Sequence, residues 1–377
     1  VKKVFIMSSV HPWNDTRIFF KEAQSLAKKY EVELHAVADF SFKESGGVKV
    51  FGLPKSKKRV LRFVNWFRLL FRALKSGADV YHFHDPELLG LGWLIKVLTG
   101  KKVIYDVHED FPAALLTKYW IPKGIRRTIS RLMDKWEKWI SQRLDALIFA
   151  EFYYKENFMK VSTKKADIVN YPVLSMERPQ DRQEGQTVVL VYAGGITESR
   201  GAVQMVESIA LLREDLRKRV RLVLIGTVKK ELMERLQKIV AEKGIQNEVL
   251  FTGRVSLTEV YEYYKSAGIG LAVLHPAQNY IRSLATKIYE YMSVGIPIIA
   301  SNFPMWIELV EGNQCGINVD PLDPKAIAEA IERLVLDPEL RKQMGQNGYR
   351  AFKEKYNWSL EEEKLFELYD QLLGEGN

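Results

Sequence analysis

The stretch SLATKIYEYMSVGIPIIAS, Ser283–Ser301, decides how the chain is read. Ile296 to Ala300 is short, apolar and rich in β-branched residues, and it follows Gly295. A buried strand of a parallel sheet has this form once a helix has stopped at a glycine. The stretch is therefore predicted as a helix followed by a core strand. In the helix, Ile288 and Met292 are spaced to face a core, whereas Lys287 and Glu290, three residues apart, share another face. That face looks either into a ligand cleft or into water, and a solvated pair is worth only ~0.3–0.5 kcal/mol.

The same rhythm extends outward in both directions. VKKVFIMSS (1–9), VELHAVA (32–38), VKVFGL (48–53), DVYHFH (79–84), KKVIYDVH (101–108) and ALIFA (146–150) read as strands. Helical patterns separate them at Thr16–Lys29, at about Arg59–Leu74, and in a long helix ending near Arg143. A polar stretch, VLSMERPQDRQEGQ (173–186), reads as a linker. The rhythm then restarts with TVVLVYAGG, RVRLVLIG, NEVLFTG, GIGLAVL and IPIIAS, and Lys229–Lys243 is one of the intervening helices. Two successive Rossmann-like, doubly wound α/β domains are the expectation: 1–172, 173–355, and a closing helix over 356–377 with Ser359 as its N-cap. This helix is expected to return to the first domain.

With 377 residues, 47% of them apolar, the chain is long enough for two cores. The lone Cys315 excludes a disulfide framework and a cysteine-based zinc site. No stretch reads as a secretory signal or a spanning helix, so a cytoplasmic location is expected. The net charge of +9 is unevenly placed: residues 1–172 hold 31 Lys/Arg against 18 Asp/Glu, and the rest 25 against 29. The basic half suits an anionic partner such as a membrane surface or phosphorylated lipid. No nucleic-acid-binding signature accompanies the charge, so nucleic acid is not expected. Two basic, aromatic segments, PKSKKRVLRFVNWFRLLFRALKSG and KYWIPKGIRRTISRLMDKWEKWISQRL, fit both a sheet-packing helix and one lying in a membrane interface.

Ligands of open α/β sheets bind beyond the carboxyl ends of the strands. There the sequence places Asn14, Asp15 and Thr16, turn and cap residues opening a helix, and His82, His84 and Asp85 at the end of DVYHFHD. His108, Glu109 and Asp110 end the next strand. His82 reads as a hydrogen-bonded core histidine and His108 as a functional one. The histidines lack a zinc-binding spacing, and no metal is expected. In the second half, Gly194 and Gly195 follow a strand, and Arg200-Gly201 opens a helix. With Lys287 they form a candidate diphosphate clamp.

The ordered motifs HPWNDTRIFFKEAQSL, DVYHFHDPELL, VIYDVHEDFP, YAGGITESRG, LIGT, FTGRV, TKIYEYMSVGIPIIAS and the closing YNW helix resemble those of glycosyltransferase family 4 over nearly the whole chain. That family is retaining, with the GT-B architecture of two Rossmann-like domains facing across a donor cleft. The resemblance implies a nucleoside-diphosphate sugar as donor, no required metal or cofactor, and a saccharide or polyprenyl-diphosphate-linked acceptor at the inner face of the cytoplasmic membrane. Glu290 matches the glutamate that holds the ribose hydroxyls, and His108 the histidine near the transferred sugar. Arg200 stands where a lysine usually meets the diphosphate. Gly253 and Arg254 fall in the loop passing the base, with Gly194, Gly195, Arg282, Thr286 and Lys287 completing the donor set. Asn14, Asp15, Arg17, His84, Asp85 and Glu109 fall on the acceptor side. The chain departs from the family pattern where Arg282 replaces the first glutamate of the Glu-x7-Glu pair, where Gly195 replaces an arginine, and where VHPWND replaces a glycine pair. A non-catalytic nucleotide-sugar-binding protein and a nucleotide-sugar epimerase are the rival expectations.

Overall fold

A computed structural model describes residues 1–55, 62–118, 121–173, 187–283 and 285–374. The chain forms two compact units, Val1–Asn170 with Trp358–Asn377, and Tyr171–Asn357. The expected linker falls, except for Val173, outside the described residues.

The first unit is built on β1 (Lys3–Pro12), β2 (Glu31–Val37), β3 (Phe42–Ser45), β4 (Val48–Leu53), β5 (Val80–Phe83), β6 (Lys102–Val107), β7 (Ala146–Phe149) and β8 (Lys164–Asp167). Their order is β3-β4-β2-β1-β5-β6-β7-β8, parallel except for the β3–β4 pair. Apolar side chains cover both faces, which is why the central strands read as unbroken apolar runs. The Trp358–Leu373 helix completes one face, where Trp358, Leu365, Leu368 and Tyr369 join the core.

The second unit has β9 (Val188–Ala193), β10 (Val220–Ile225), β11 (Val249–Gly253), β12 (Ile269–Ala272), β13 (Ile298–Ser301) and β14 (Gly316–Val319). All are parallel, in the order β11-β10-β9-β12-β13-β14. This is the doubly wound order in which the direction of winding reverses between the first and fourth strands, opening a crevice beyond their carboxyl ends. The opening stretch folds as read: the Thr286–Ser293 helix buries Ile288 and Met292 completely and is followed by β13. Burial of each such side chain is worth roughly 1.5–3 kcal/mol.

Several element boundaries differ from the sequence reading. The Thr16–Lys29 helix is a shorter helical segment, Ile18–Ala23 then Gln24–Leu26, opened by a wide turn in which the Glu22 N–H donates to the Arg17 carbonyl at 2.9 Å. The long helix before Arg143 is two, Phe111–Thr117 and Lys123–Ser141, because Pro122 cannot continue the ladder. Ser359 lies within the last helix, which begins at Trp358, and is not its cap. The sequence reading passed over β3, β8, β14 and the Leu89–Thr99 helix.

Candidate functional sites

In the second unit the winding reversal falls between β9 and β12, and the loop after β9 carries Gly194 and Gly195. Gly194 has φ 142°, and a Cβ there would lie 3.4 Å from an Arg200 guanidinium nitrogen and 3.7 Å from Lys287 Nζ. Only glycine leaves the turn bare between two cations. Gly201 ends this loop with φ 74°, and a Cβ there would meet the Val273 carbonyl oxygen, just beyond β12, at 2.0 Å. The loop is thereby pressed against the neighbouring strand end.

Burial opposes the Arg200 charge, but the neighbouring Tyr280 and Tyr192 hydroxyls prevail and raise its pKa. Lys287 lies 4.8 Å over the Tyr192 ring, and the Tyr192 hydroxyl donates to the Gly195 carbonyl at 3.0 Å. Neither cation has a carboxylate within ion-pair distance among the described residues. Burial, reinforced by Arg200 alongside, lowers the Lys287 pKa to about 8. One turn along, the half-buried Glu290 accepts from the Tyr264 hydroxyl through Oε2 at 2.9 Å, and its Oε1 has no partner among the described residues. Gly253 ends β11 and accepts from the Gly226 N–H at 2.8 Å. Arg254, Arg282 and Thr286 are exposed; Thr286 opens the Lys287 helix, whose first turn has no side-chain cap. The unit thus brings together Gly194, Gly195, Arg200 and Lys287, with Glu290 on the same helix as Lys287. Among the described residues, no hydrogen bond or ion pair joins Gly253, Arg254 or Arg282 to them.

In the first unit the winding reverses between β1 and β5, and the residues beyond these strands bind one another. Asp85 Oδ2 accepts from the Ser9 N–H at 2.6 Å and the Ser8 hydroxyl at 2.9 Å. Asp15 Oδ1 accepts from the N–H groups of Arg17 and Ile18 at 2.9 and 3.0 Å, and Oδ2 faces His11 at 3.4 Å. Burial opposes the Asp15 charge, but these hydrogen bonds prevail and lower its pKa, while that of His11 is raised by its bond to Asp15.

Arg17, 3% exposed, clamps Asp106 with bonds of 2.9 and 3.1 Å, donates to the Ile168 carbonyl at 2.8 Å and pairs with Glu22 at 2.9 Å. Burial works against the Asp106 charge, yet Arg17 and His108 hold its pKa well below the carboxylate range; burial raises that of Glu22 well above it. His84, 1% exposed, is kept neutral by burial, with a pKa of about 4. His82 Nδ1 meets the Tyr369 hydroxyl at 3.0 Å, the hydrogen-bonded core histidine the sequence suggested.

Of the residues expected on the acceptor side, most are bonded within this unit. Arg17, His84 and Asp85 are interior groups already committed to partners, and Asp15 is largely spent on capping. Asn14 and Glu109 are exposed. Glu22, His82, His84 and Asp106 have ligand-type atoms within 4.8 Å of one another, but the Arg17 guanidinium already supplies positive charge to both carboxylates. His108 borders a pocket of about 170 Å³ with Asp15, Thr16, Arg17, Ala150, Glu151 and Asn170. Glu151 was not singled out from the sequence, where one acidic residue after a strand carries no signal. No hydrogen bond to its carboxyl is present among the described residues, and burial raises its pKa to about 7.

Each unit therefore carries a Rossmann-like sheet with a candidate site at its winding reversal, the two-domain fold class called GT-B. Residues 17–169 match the model of Glycosyltransferase Family 4, and residues 176–351 that of Glycosyl transferases group 1. The chain belongs to this glycosyltransferase family. It is 22% identical over 324 residues to an uncharacterized glycosyltransferase of Methanocaldococcus jannaschii, covering 82% of this chain and 79% of that protein. Among solved structures it resembles sucrose-phosphate synthase from Thermosynechococcus elongatus, with a TM-score of 0.77, 19% identity and full coverage of both chains. It also resembles Anabaena HepE in complex with UDP-glucose, with a TM-score of 0.68, 13% identity and coverage of 98% and 100%.

Proposed function

We propose that the protein is a retaining glycosyltransferase that moves a sugar from a UDP- or GDP-sugar to a saccharide or polyprenyl-diphosphate-linked saccharide in polysaccharide or glycolipid synthesis. The observation that carries this reading is the pair of cations, Arg200 and Lys287, left without carboxylate partners beside the bare Gly194–Gly195 turn. A diphosphate supplies the missing charge, and the uncapped N–H groups of the Thr286 helix add donors. Glu290 Oε1 accepts from a ribose hydroxyl, with Tyr264 fixing the carboxylate. Gly253 and Arg254 flank the base, and Arg282 adds positive charge near the phosphates.

In the reaction the bond from the sugar C1 to the diphosphate oxygen breaks, and a bond from an acceptor oxygen to C1 forms on the same face. The acceptor proton passes to the leaving diphosphate. Charge grows on that leaving group, and cations fixed in place stabilise it without reorganising. Arg200 and Lys287 supply this stabilisation, so a metal is not required, and activity in EDTA tests the point. His108 hydrogen-bonds the sugar. NMR of the product's anomeric proton tests retention.

The first unit supports a membrane-facing acceptor. Its Arg62–Ser76, Leu89–Thr99 and Lys123–Ser141 helices pack side by side, with Leu89–Thr99 in the middle. Outward they expose Phe67 (73%), Phe71, Val97, Leu98 and Leu132. Lys75 lies over Phe71 at 4.1 Å and Arg143 over Trp139 at 3.7 Å. Apolar rings edged by cations suit an anionic lipid surface. No described helix is long and apolar enough to cross a membrane, so this contact would be peripheral. Salt-sensitive cosedimentation with phosphatidylglycerol vesicles is expected, and its absence removes the membrane part.

Calorimetry with UDP, GDP and ADP tests the donor site. One nucleotide is expected to bind the intact protein and to lose affinity in Glu290→Ala. No binding to any of the three by folded protein would favour a non-catalytic role.

A further inference from the structure

His108 is tied to the interior through one nitrogen only. Its Nε2 lies 3.1 Å from Asp106 Oδ2 and 3.1 Å from His84 Nδ1, and His84 Nδ1 lies 3.3 Å from the same carboxylate oxygen. Three polar atoms in a triangle admit few proton arrangements. Asp106 is ionised, since Arg17 grips both its oxygens and no water reaches it. A bare Nε2 lone pair on His108 would face that negative oxygen, whereas an Nε2–H donates to it in a charge-assisted bond.

With both rings donating to Asp106, the 3.1 Å His84–His108 contact is not itself a hydrogen bond. If His84 also donates to Asp106 through Nδ1, its own Nε2 is an acceptor, and that atom lies 3.6 Å from Glu22 Oε2. Glu22 is the buried carboxyl that would carry the proton facing it. On the outer side, His11 meets the His108 ring edge-on with centroids 5.6 Å apart, and His108 Nδ1 has no partner among the described residues.

We infer that Asp106 is a positioning residue that fixes His108 as its Nε2–H tautomer. The outer nitrogen, Nδ1, is then a hydrogen-bond acceptor, and the ligand group that meets it must donate: a sugar hydroxyl, and not a phosphate oxygen or a carbonyl. Which nitrogen of a histidine carries the proton is set by the partner of the other nitrogen. The assignment of a sugar hydroxyl rests on the glycosyl-transfer reading, whereas the tautomer does not.

The experiment is therefore made without substrate. Full-length protein labelled with 15N-histidine is examined by long-range 1H–15N correlation at neutral pH, and His108 is assigned by the signals that vanish in His108→Gln. The expected result is a protonated Nε2 and an unprotonated Nδ1. In Asp106→Asn the carboxamide presents an N–H as well as an oxygen, so the tautomer should reverse or become mixed; Asp106→Glu should restore it. A His108 Nδ1–H tautomer in the wild type overturns the inference, whether or not Asp106→Asn folds. So does an unchanged tautomer in folded Asp106→Asn. A confirmed tautomer in a protein that binds no nucleotide sugar would leave the inference standing and remove the glycosyl-transfer reading.

Discussion

The two units treat their charges in opposite ways. In the first, Arg17, Asp106, Asp15, His11 and Asp85 are occupied with one another, and most are sealed from water. In the second, Arg200 and Lys287 sit beside a bare glycine turn and tyrosine side chains, with no carboxylate at ion-pair distance among the described residues. An interlocked set of charges defines a shape, whereas an unanswered pair of cations defines an affinity. The first arrangement is sensitive to losing a member; the second, on the proposed reading, gains one.

The largest expected effect tests the interlocked side. Arg17→Leu strips the guanidinium from the buried, ionised Asp106 and leaves it the His84 and His108 rings as partners, which costs about 3–5 kcal/mol, measured by urea unfolding. A cost below about 1 kcal/mol would mean that Asp106 simply takes up a proton, and the contrast would fail. For Arg200→Ala and Lys287→Ala the pattern should invert. Each loses roughly 1.5–3 kcal/mol of binding to the nucleotide that the calorimetry selects, or about 10- to 150-fold, with folding stability unchanged or slightly higher. A loss of stability as great as that of Arg17→Leu would make these cations structural.

The Lys287 pKa of about 8 lies below the ordinary lysine value, so its charged form is disfavoured in the folded state. The resulting penalty is fully present below about pH 8 and is relieved as pH rises from there towards 10.5. Between pH 7 and 9, nucleotide affinity should fall as the ammonium is lost, while stability does not fall on this account. Lys287→Arg should flatten the affinity profile, and a wild-type profile already flat would exclude Lys287 from the clamp. The smallest effect is expected for Tyr264→Phe, which frees Glu290 to rotate and should weaken nucleotide binding by about 0.5–1.5 kcal/mol.

The same contrast explains what could be read in advance. The second site is local in sequence: a glycine pair after a strand, an arginine five residues later, and a lysine three residues before a glutamate. Each element is visible in a short window, and the winding order brings the windows together. The first site is not local. Nothing around Arg17 announces that it will be buried, because its partner Asp106 lies 89 residues away. Amid turn and cap residues it looks like a surface side chain. Strands β3 and β8, FKES and KKAD, were missed for a related reason: they lie at the sheet edges and carry no apolar run. The Leu89–Thr99 helix, LGLGWLIKVLT, is apolar nearly all round and shows no helical stripe.

The last helix has a consequence for how the protein is made. Trp358 Nε1 donates to the Ser25 hydroxyl at 2.9 Å, the Val169 N–H donates to Glu361 at 2.8 Å, and Tyr369 meets His82 deep in the first sheet's core. A ribosome that has finished residues 1–170 has still to deliver this helix, and must first translate residues 171–357. At about 5–20 residues per second the delay is roughly ten to forty seconds. Through that interval the nascent first unit holds an unfilled groove where Trp358, Leu365 and Tyr369 belong, so the second unit, complete in one continuous segment, is positioned to finish folding before the unit that precedes it in translation.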